Sequence, residues 1–383
     1  MIRHDAAKQG PALRTSQILP AFLSFLFCGA GFCLAAAETP SGRFLYQKNC
    51  MACHGVDGTG APASTVGFDV PLPDFTDSSF ASREAAGDWV IVAREGGPAR
   101  GFFEIMPAFG DALTEAELLA IVTHIHTFYT DKRWPRGELN LPRALVTTKA
   151  YPEDEFVVST GYRHQDPGKL SNKIIYERRL GPHNQVELIV PFGWADQSSG
   201  GTSDTDWQSS VGDLGLAFKR VMFHSMETGS IVSVGGEVFL PTGDKDRRFG
   251  SDTTVFEPYL AYGQILPFEC FFQAQTGFVV PYDSQEREGE VFWRGVLGHS
   301  FFTGAYERAW SPMVEILGSK KFTSRVRTQW DIVPQIQINL NTRQHVRLGT
   351  GVRIPLNDKD ARKPEYIVYL LWDWFDGGFF EGW

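Results

Sequence analysis

Along most of the second half of the chain, apolar and polar residues alternate one by one. Trp330, Ile332, Pro334, Ile336, Ile338 and Leu340 share one parity, while Gln329, Asp331, Gln335, Gln337 and Asn339 share the other. A period of two puts the two sets on opposite faces of a β-strand. The same alternation opposes Val346, Leu348, Val352, Ile354 and Leu356 to Arg347, Gly349, Gly351 and Arg353. It opposes Val186, Leu188, Val190, Phe192 and Trp194 to Gln185, Glu187 and Gly193, and Val232, Val234, Val238 and Leu240 to Ser233 and Glu237. About twelve such segments, each near ten residues, follow one another between residues 156 and 375, separated by Gly, Asp, Asn and Pro.

Upstream, the period becomes helical. Ser41 to Asn49 predicts a short helix with Phe44, Leu45 and Lys48 at turn spacing. Thr114-Glu115-Ala116-Glu117 is a capping box that opens a second helix, on which Leu118, Ile121, Val122, Ile125 and Phe128 form one apolar face. A long loop is expected between the two. Residues 131–155 show no period, are punctuated by Trp134-Pro135, Leu141-Pro142 and Tyr151-Pro152, and read as a linker. The organisation is therefore a helical domain over 38–130, the linker over 131–155, and an all-β domain over 156–383.

The amino terminus has a pattern of its own. Arg3, Lys8 and Arg14 precede an uncharged apolar run from Ile18 to Ala37 that ends in Ala35-Ala36-Ala37. A basic stretch, an apolar run and a small-residue end predict a secretory signal over residues 1–37. Beyond it no run of about twenty apolar residues occurs, so a helical membrane protein is excluded. A soluble β-sandwich also alternates. Here the strands are long and numerous, their apolar faces are rich in Trp, Tyr and Phe, and the other face stays polar throughout. In hydrocarbon every backbone amide must be paired, so strands can span only as a closed barrel, and an antiparallel outer-membrane β-barrel of about twelve strands is expected.

Charge and cysteine content narrow the class further. The formal net charge is −9, and loss of Arg3, Lys8 and Arg14 together with Asp5 takes it to −11. Without a basic tract interleaved with aromatics, no nucleic-acid partner is expected. Cys28 and Cys33 fall in the signal and Cys270 stands alone, which excludes a disulfide framework.

The remaining two cysteines carry the chemistry. Cys50-Met51-Ala52-Cys53-His54 is the attachment signature of a c-type haem: two thiols on one helical turn form thioethers to the macrocycle, and the adjacent imidazole ligates the iron. A bare redox Cys-x-x-Cys belongs in a βαβ context, which is absent here, and does not need the trailing histidine. One covalent haem c is the expected cofactor. Met106, in Met106-Pro107-Ala108-Phe109, offers a soft sulfur for the sixth position, while spacing alone leaves His124 and His126 as rivals. Histidines at such places on a closing helix are more often surface residues. Arg94 and Arg100, beside Gly96-Gly97, are candidates for pairing with a haem propionate, and Asp74-Phe75-Thr76-Asp77 reads as a turn rather than a metal loop.

Residues 41–130 resemble the small class I cytochromes c, whose order is a first helix with Gly42 and Tyr46, then Cys50, Cys53, His54 and Gly55, then Met106-Pro107, then a closing helix. The resemblance implies His54 and Met106 as the two axial iron ligands. It also implies that the first and last helices cross, with Gly42 and Tyr46 near Phe128 and Tyr129. Val211-Gly212-Asp213-Leu214-Gly215-Leu216-Ala217-Phe218-Lys219 is similar to the Gly-Asp-Leu strand motif of the phenol-degradation (MetA-type) outer-membrane transporter family, and the chain ends on the aromatic Trp383. Asp376-Gly377-Gly378 interrupts the last strand before that residue. A cytochrome followed by a barrel is similar in architecture to the fused cytochrome-porins of bacteria, whose barrels are larger.

An even number of strands puts both ends of the barrel, and with them the cytochrome, on the periplasmic side of the outer membrane. One haem cannot wire a core about 30 Å thick. The expected function is electron transfer at the periplasmic mouth, with no enzymatic activity of its own and with a periplasmic electron carrier or a small redox-active solute as partner. The alternatives are a porin for small, including aromatic, solutes with a docking or sensing cytochrome, and a periplasmic redox enzyme with a soluble β domain. No Ser/His/Asp set, carboxylate dyad or dinucleotide fingerprint occurs in the second region.

Overall fold

Helices come first in the chain: α1 (Gly42–Asn49), α2 (Met51–His54), α3 (Ala63–Val66), α4 (Ser78–Ala81), α5 (Ala86–Glu95) and α6 (Glu115–Ile125). The computed structural model describes residues 40–163, 168–197, 206–304, 307–323 and 327–374. The expected signal segment with Cys28 and Cys33, the Asp376-Gly377-Gly378 interruption and Trp383 lie outside the described residues.

The capping box at Thr114 forms as expected: its Oγ1 accepts from the Glu117 amide at 3.3 Å, and Glu117 Oε2 accepts from the Thr114 amide at 2.8 Å. The buried face of α6, Leu118, Ile121, Val122 and Ile125, packs on α1 and α5. Gly42 lies so close to the Ala120 backbone that any Cβ would collide, and Tyr46 meets Phe128 edge-on at 5.2 Å. Tyr129 stays out of this crossing and faces His126 and Lys132. Within the expected long loop the structure places α5. Its N-cap, Ala85, offers no capping oxygen, and only Val90 and Ile91 are buried, so the usual start signal is missing.

The strands are β1 (Glu155–Arg163), β2 (Lys169–Leu180), β3 (Asn184–Asp196), β4 (Trp207–Val211), β5 (Leu214–Ser225), β6 (Ser230–Leu240), β7 (Val255–Ile265), β8 (Cys270–Pro281), β9 (Glu290–His299), β10 (Phe301–Thr303), β11 (Arg308–Lys321), β12 (Gln329–Asn339), β13 (Val346–Pro355) and β14 (Glu365–Asp373). All pairings are antiparallel, β14 pairs with β1, and β9 pairs with β11, so the sheet closes on itself. β4 and β10 are short continuations that pair only with β3 and β11 respectively, which leaves a ring of twelve long strands. The Gly212-Asp213 pair, read as part of a strand, is the break between β4 and β5. Asp213 there accepts from the Gly243 and Ser251 amides, each at 2.9 Å, and holds the loop between β6 and β7.

Burial is reversed relative to a soluble sheet. Leu188 is 42% exposed while Gln185 is fully buried, and Trp330 faces out while Asp331 faces in. An apolar outer face on a ring of long strands is what hydrocarbon demands, while the inner face is mixed rather than polar throughout: Phe271, Phe292, Val296, Tyr369 and Leu371 are buried there beside the Gln and Glu side chains. This corrects the soluble β domain that the enzyme alternative required. The connections after β2, β5, β7 and β12 are short, and they share one end of the barrel with the start of β1 and the end of β14. That end is the periplasmic one, and the helical domain joins it.

Residues 131–155 link the two domains in the chain, and in space they do more. They enter the barrel from the short-turn end, reach the middle of the lumen at Val146, and return to the same end at Glu155. The Arg143 and Leu145 amides donate to Gln337 and Gln335 of β12, each at 2.9 Å. Glu315 of β11 accepts from the Val146 amide (3.1 Å), the Thr147 amide (2.9 Å) and the Thr147 hydroxyl (2.7 Å). Further bonds reach Gln273 and Gln275 of β8, Arg294 of β9, Lys219 of β5, Ser233 of β6, Tyr369 of β14 and Gln185 of β3. Arg143 forms ion pairs with Glu155 and Glu177, and Lys149 with Glu153 and Glu155. Irregular backbone is tolerated at membrane depth only when protein groups satisfy it, and the inward Gln and Glu side chains do so.

Candidate haem centre

Cys50 closes α1 and opens α2. The Cys53 and His54 amides donate to the Cys50 carbonyl at 3.2 and 2.9 Å, which puts both thiols and the imidazole on one turn. The loop behind them is tight: the Gly60 amide donates to the His54 carbonyl at 3.0 Å, and Gly58, at φ 83°, has its missing Cβ facing the Phe128 ring. The Tyr46 hydroxyl donates to the Gly55 carbonyl at 2.7 Å, tying α1 to this turn. The His54 ring stacks on Phe75 at 5.0 Å, and its Nδ1 is buried without a hydrogen-bond partner among the described residues.

Burial lowers the His54 pKa to about 4, so the imidazole is neutral, the form that ligates a metal. Cys50 is pushed up to about 11 by burial and then by the neighbouring Cys53. A dithiol redox motif needs a lowered thiol, so this environment disfavours that alternative.

Met106 is placed by α5. The Phe109 and Gly110 amides donate to the carbonyls of Ala93 and Arg94 at 3.0 and 2.9 Å, and the Gly97 amide donates to the Met106 carbonyl at 3.0 Å. A Cβ on Gly97 would run into the Phe103 carbonyl, so the Gly96-Gly97 pair is what lets this loop fold back. Met51, Val56, Phe103 and Ile105, neighbours in the chain of the four expected site residues, are exposed apolar groups, as the rim of a crevice for a large flat macrocycle would be. Two thiols and a neutral imidazole on one helical turn, and a thioether on the loop after α5, are a donor set that fits a haem c.

The rivals of Met106 are both packed against aromatic rings. His124 packs in the α1–α6 crossing against Tyr46 and Phe128. His126 is buried between Trp89 and Tyr129, contrary to the surface position expected for it. The propionate candidates are also engaged with protein carboxylates: Arg94 bridges Glu95, Glu115 and Glu307, and Arg100 is buried on Asp88 at 2.5 Å. Asp74 accepts from the Thr76 amide at 2.8 Å and Asp77 caps α4, so that stretch is the turn it was read as.

Residues 41–128 match the family described as Cytochrome c. These residues are a cytochrome c domain. It carries one covalently bound haem c, attached in the region of Cys50 and Cys53. Over 91 residues the chain is 34% identical to the cbb3-type cytochrome c oxidase subunit CcoP of Cereibacter sphaeroides, which covers 24% of this chain and 28% of that protein. The chain thus spans about a quarter of the length of that curated relative. Residues 169–304 match the family described as MetA-pathway of phenol degradation. Among solved structures, an outer-membrane channel from Pseudomonas putida is 12% identical, covering 61% of this chain and all of that one, with a TM-score of 0.44. A c-type cytochrome is 28% identical over 24% of this chain and 99% of its own, with a TM-score of 0.21. The protein is a cytochrome c domain fused to an outer-membrane barrel.

The cytochrome domain docks on the short-turn end of the barrel. Arg94 pairs with Glu307 at 2.6 Å, Gln344 donates to Asp88 at 3.0 Å, and Arg83 pairs with Asp154. Arg343 lies over the Phe102 ring at 4.8 Å, which brings the barrel turn between β12 and β13 against the loop that carries Met106. Nothing in the sequence pairs these residues. Each is an ordinary surface type, and only closure of the barrel brings them together.

Proposed function

We propose that this protein transfers single electrons at the periplasmic mouth of the outer membrane, exchanging them with a periplasmic carrier. The haem supplies the ferric–ferrous couple when bound. In this reading Cys50 and Cys53 tether it, and His54 and Met106 are its axial ligands. The neutral His54 imidazole is oriented by Phe75, and the Met106 loop is held by Gly97 and the end of α5. The loop at 131–155 in the lumen carries the choice of partner. It stands between the docked cytochrome domain and the far mouth, so the accessible donor or acceptor is on the periplasmic side rather than a solute arriving through the barrel.

Two measurements test this. Met106→Ala should abolish the sulfur-to-iron charge-transfer band and lower the reduction potential, and a band that persists would move the sixth ligand to His124 or His126. In oriented liposomes, a membrane-impermeant reductant should reduce the haem when added on the cytochrome side only. Equal reduction from the barrel's far side would overturn the assignment of the partner.

A further inference from the structure

We propose that the loop at residues 139–154 is a removable stopper, and that the barrel conducts small hydrophilic ions when release of the cytochrome domain draws that loop out. Three observations carry this. The loop enters and leaves by the same mouth, from Leu139 to Val146 and back to Glu155, so it can be withdrawn toward the periplasm without threading an end through the barrel. Its grip is made of reversible contacts. Glu315 and Gln335 hold the tip by backbone amides at 2.9–3.1 Å, and no covalent link is involved. Both ends of the loop are tied to the docked domain: upstream it continues from α6, and downstream Asp154 pairs with Arg83. Undocking at Arg94–Glu307 and Asp88–Gln344 therefore pulls on the stopper directly.

What would pass follows from the wall. Beyond the tip lies a small cavity of about 60 Å³ lined by Val146, Glu290, Arg294, Asp331 and Arg353 among others. Its charged groups are the carboxylates of Glu290 and Asp331 and the guanidinium groups of Arg294 and Arg353, with Phe292 and Leu317 as apolar members of the wall. A path that carries charges of both signs suits hydrated ions and small polar solutes.

The test is ion current through the purified full chain in planar bilayers bathed in potassium chloride. The wild-type chain should be silent. Two variants should give resolved current steps: one with Glu315→Ala and Gln335→Ala, and one with residues 144–149 replaced by Gly and Ser at equal length, which leaves every barrel residue in place. Arg94→Glu with Gln344→Glu, which breaks the docking contacts to Glu307 and Asp88 along with the local bonds of these two side chains and leaves the loop and its lumen partners in place, should give intermittent steps. Heat-modifiable migration and haem staining establish that each variant has folded. Wild-type current equal to that of the loop replacement would overturn the stopper, as would a silent loop replacement. A silent docking variant beside a conducting loop replacement would overturn the coupling to the cytochrome domain. The readout does not depend on electron transfer, so failure here and failure of the electron-transfer reading are separate results.

Discussion

The cytochrome domain and the barrel apply one rule in opposite senses. In the helical domain Leu118 is 1% exposed and sits in a core with Val90 and Val122. In the barrel Val314 is 42% exposed and its neighbour Glu315 is fully buried. Each places its apolar groups where water is absent: for the first that is the interior, for the second it is the lipid outside. Burial is therefore no guide to polarity until the solvent is known, and the reversed pattern is itself what identifies that solvent as hydrocarbon.

The comparison breaks most sharply where the chemistry is confined to one side. Cys50→Ala with Cys53→Ala should remove covalent haem staining entirely while the barrel keeps its heat-modifiable band. Loss of both together would show that the two regions do not fold independently. Next in size is the soluble core: Leu118→Ala should destabilise the cytochrome domain by about 2–5 kcal/mol in denaturant unfolding followed by haem absorbance, the range for emptying a packed Leu site. On the barrel, Val314→Arg should cost about 2–4 kcal/mol in liposome refolding if the outer face meets lipid at mid-depth. An effect within about 0.5 kcal/mol, as for an exposed soluble site, would contradict that placement.

The smallest effect is a pH dependence of the helical side alone. Burial, then Arg136 and Lys132, lowers His126 from its ordinary 6.5 to about 4. The unfolded chain takes up a proton near 6.5 and the folded one only near 4, so stability falls as pH drops through that window and changes no further below it. His126→Gln should flatten the acid limb of the cytochrome transition by about 1–3 kcal/mol and leave the barrel transition unmoved.

Much of this was legible in residue order because the signals are local. Period two in β12 and period 3.6 in α6 follow from backbone geometry, and Cys50, Cys53 and His54 lie within one turn. α5 was missed because it lacks a capping side chain, and Gly212-Asp213 was read as strand because its apolar flanks hide the break. His126 was placed on the surface because a partner such as Trp89 lies 37 positions away in the chain. The pairing of Arg94 with Glu307 and of Arg100 with Asp88 was equally out of reach, since an arginine's partner is a matter of spatial neighbours.

Residue order alone therefore established the haem attachment, the two architectures and the polar face of strands such as β3 and β12. It left open what the polar face of the barrel meets. Alternation is the same whether Gln335, Gln337 and Glu315 line water or hold a chain, because period two records only the side on which a residue points. The closed barrel answered this by bringing side chains from strands far apart in sequence around one irregular segment whose own amides had no other partners at that depth.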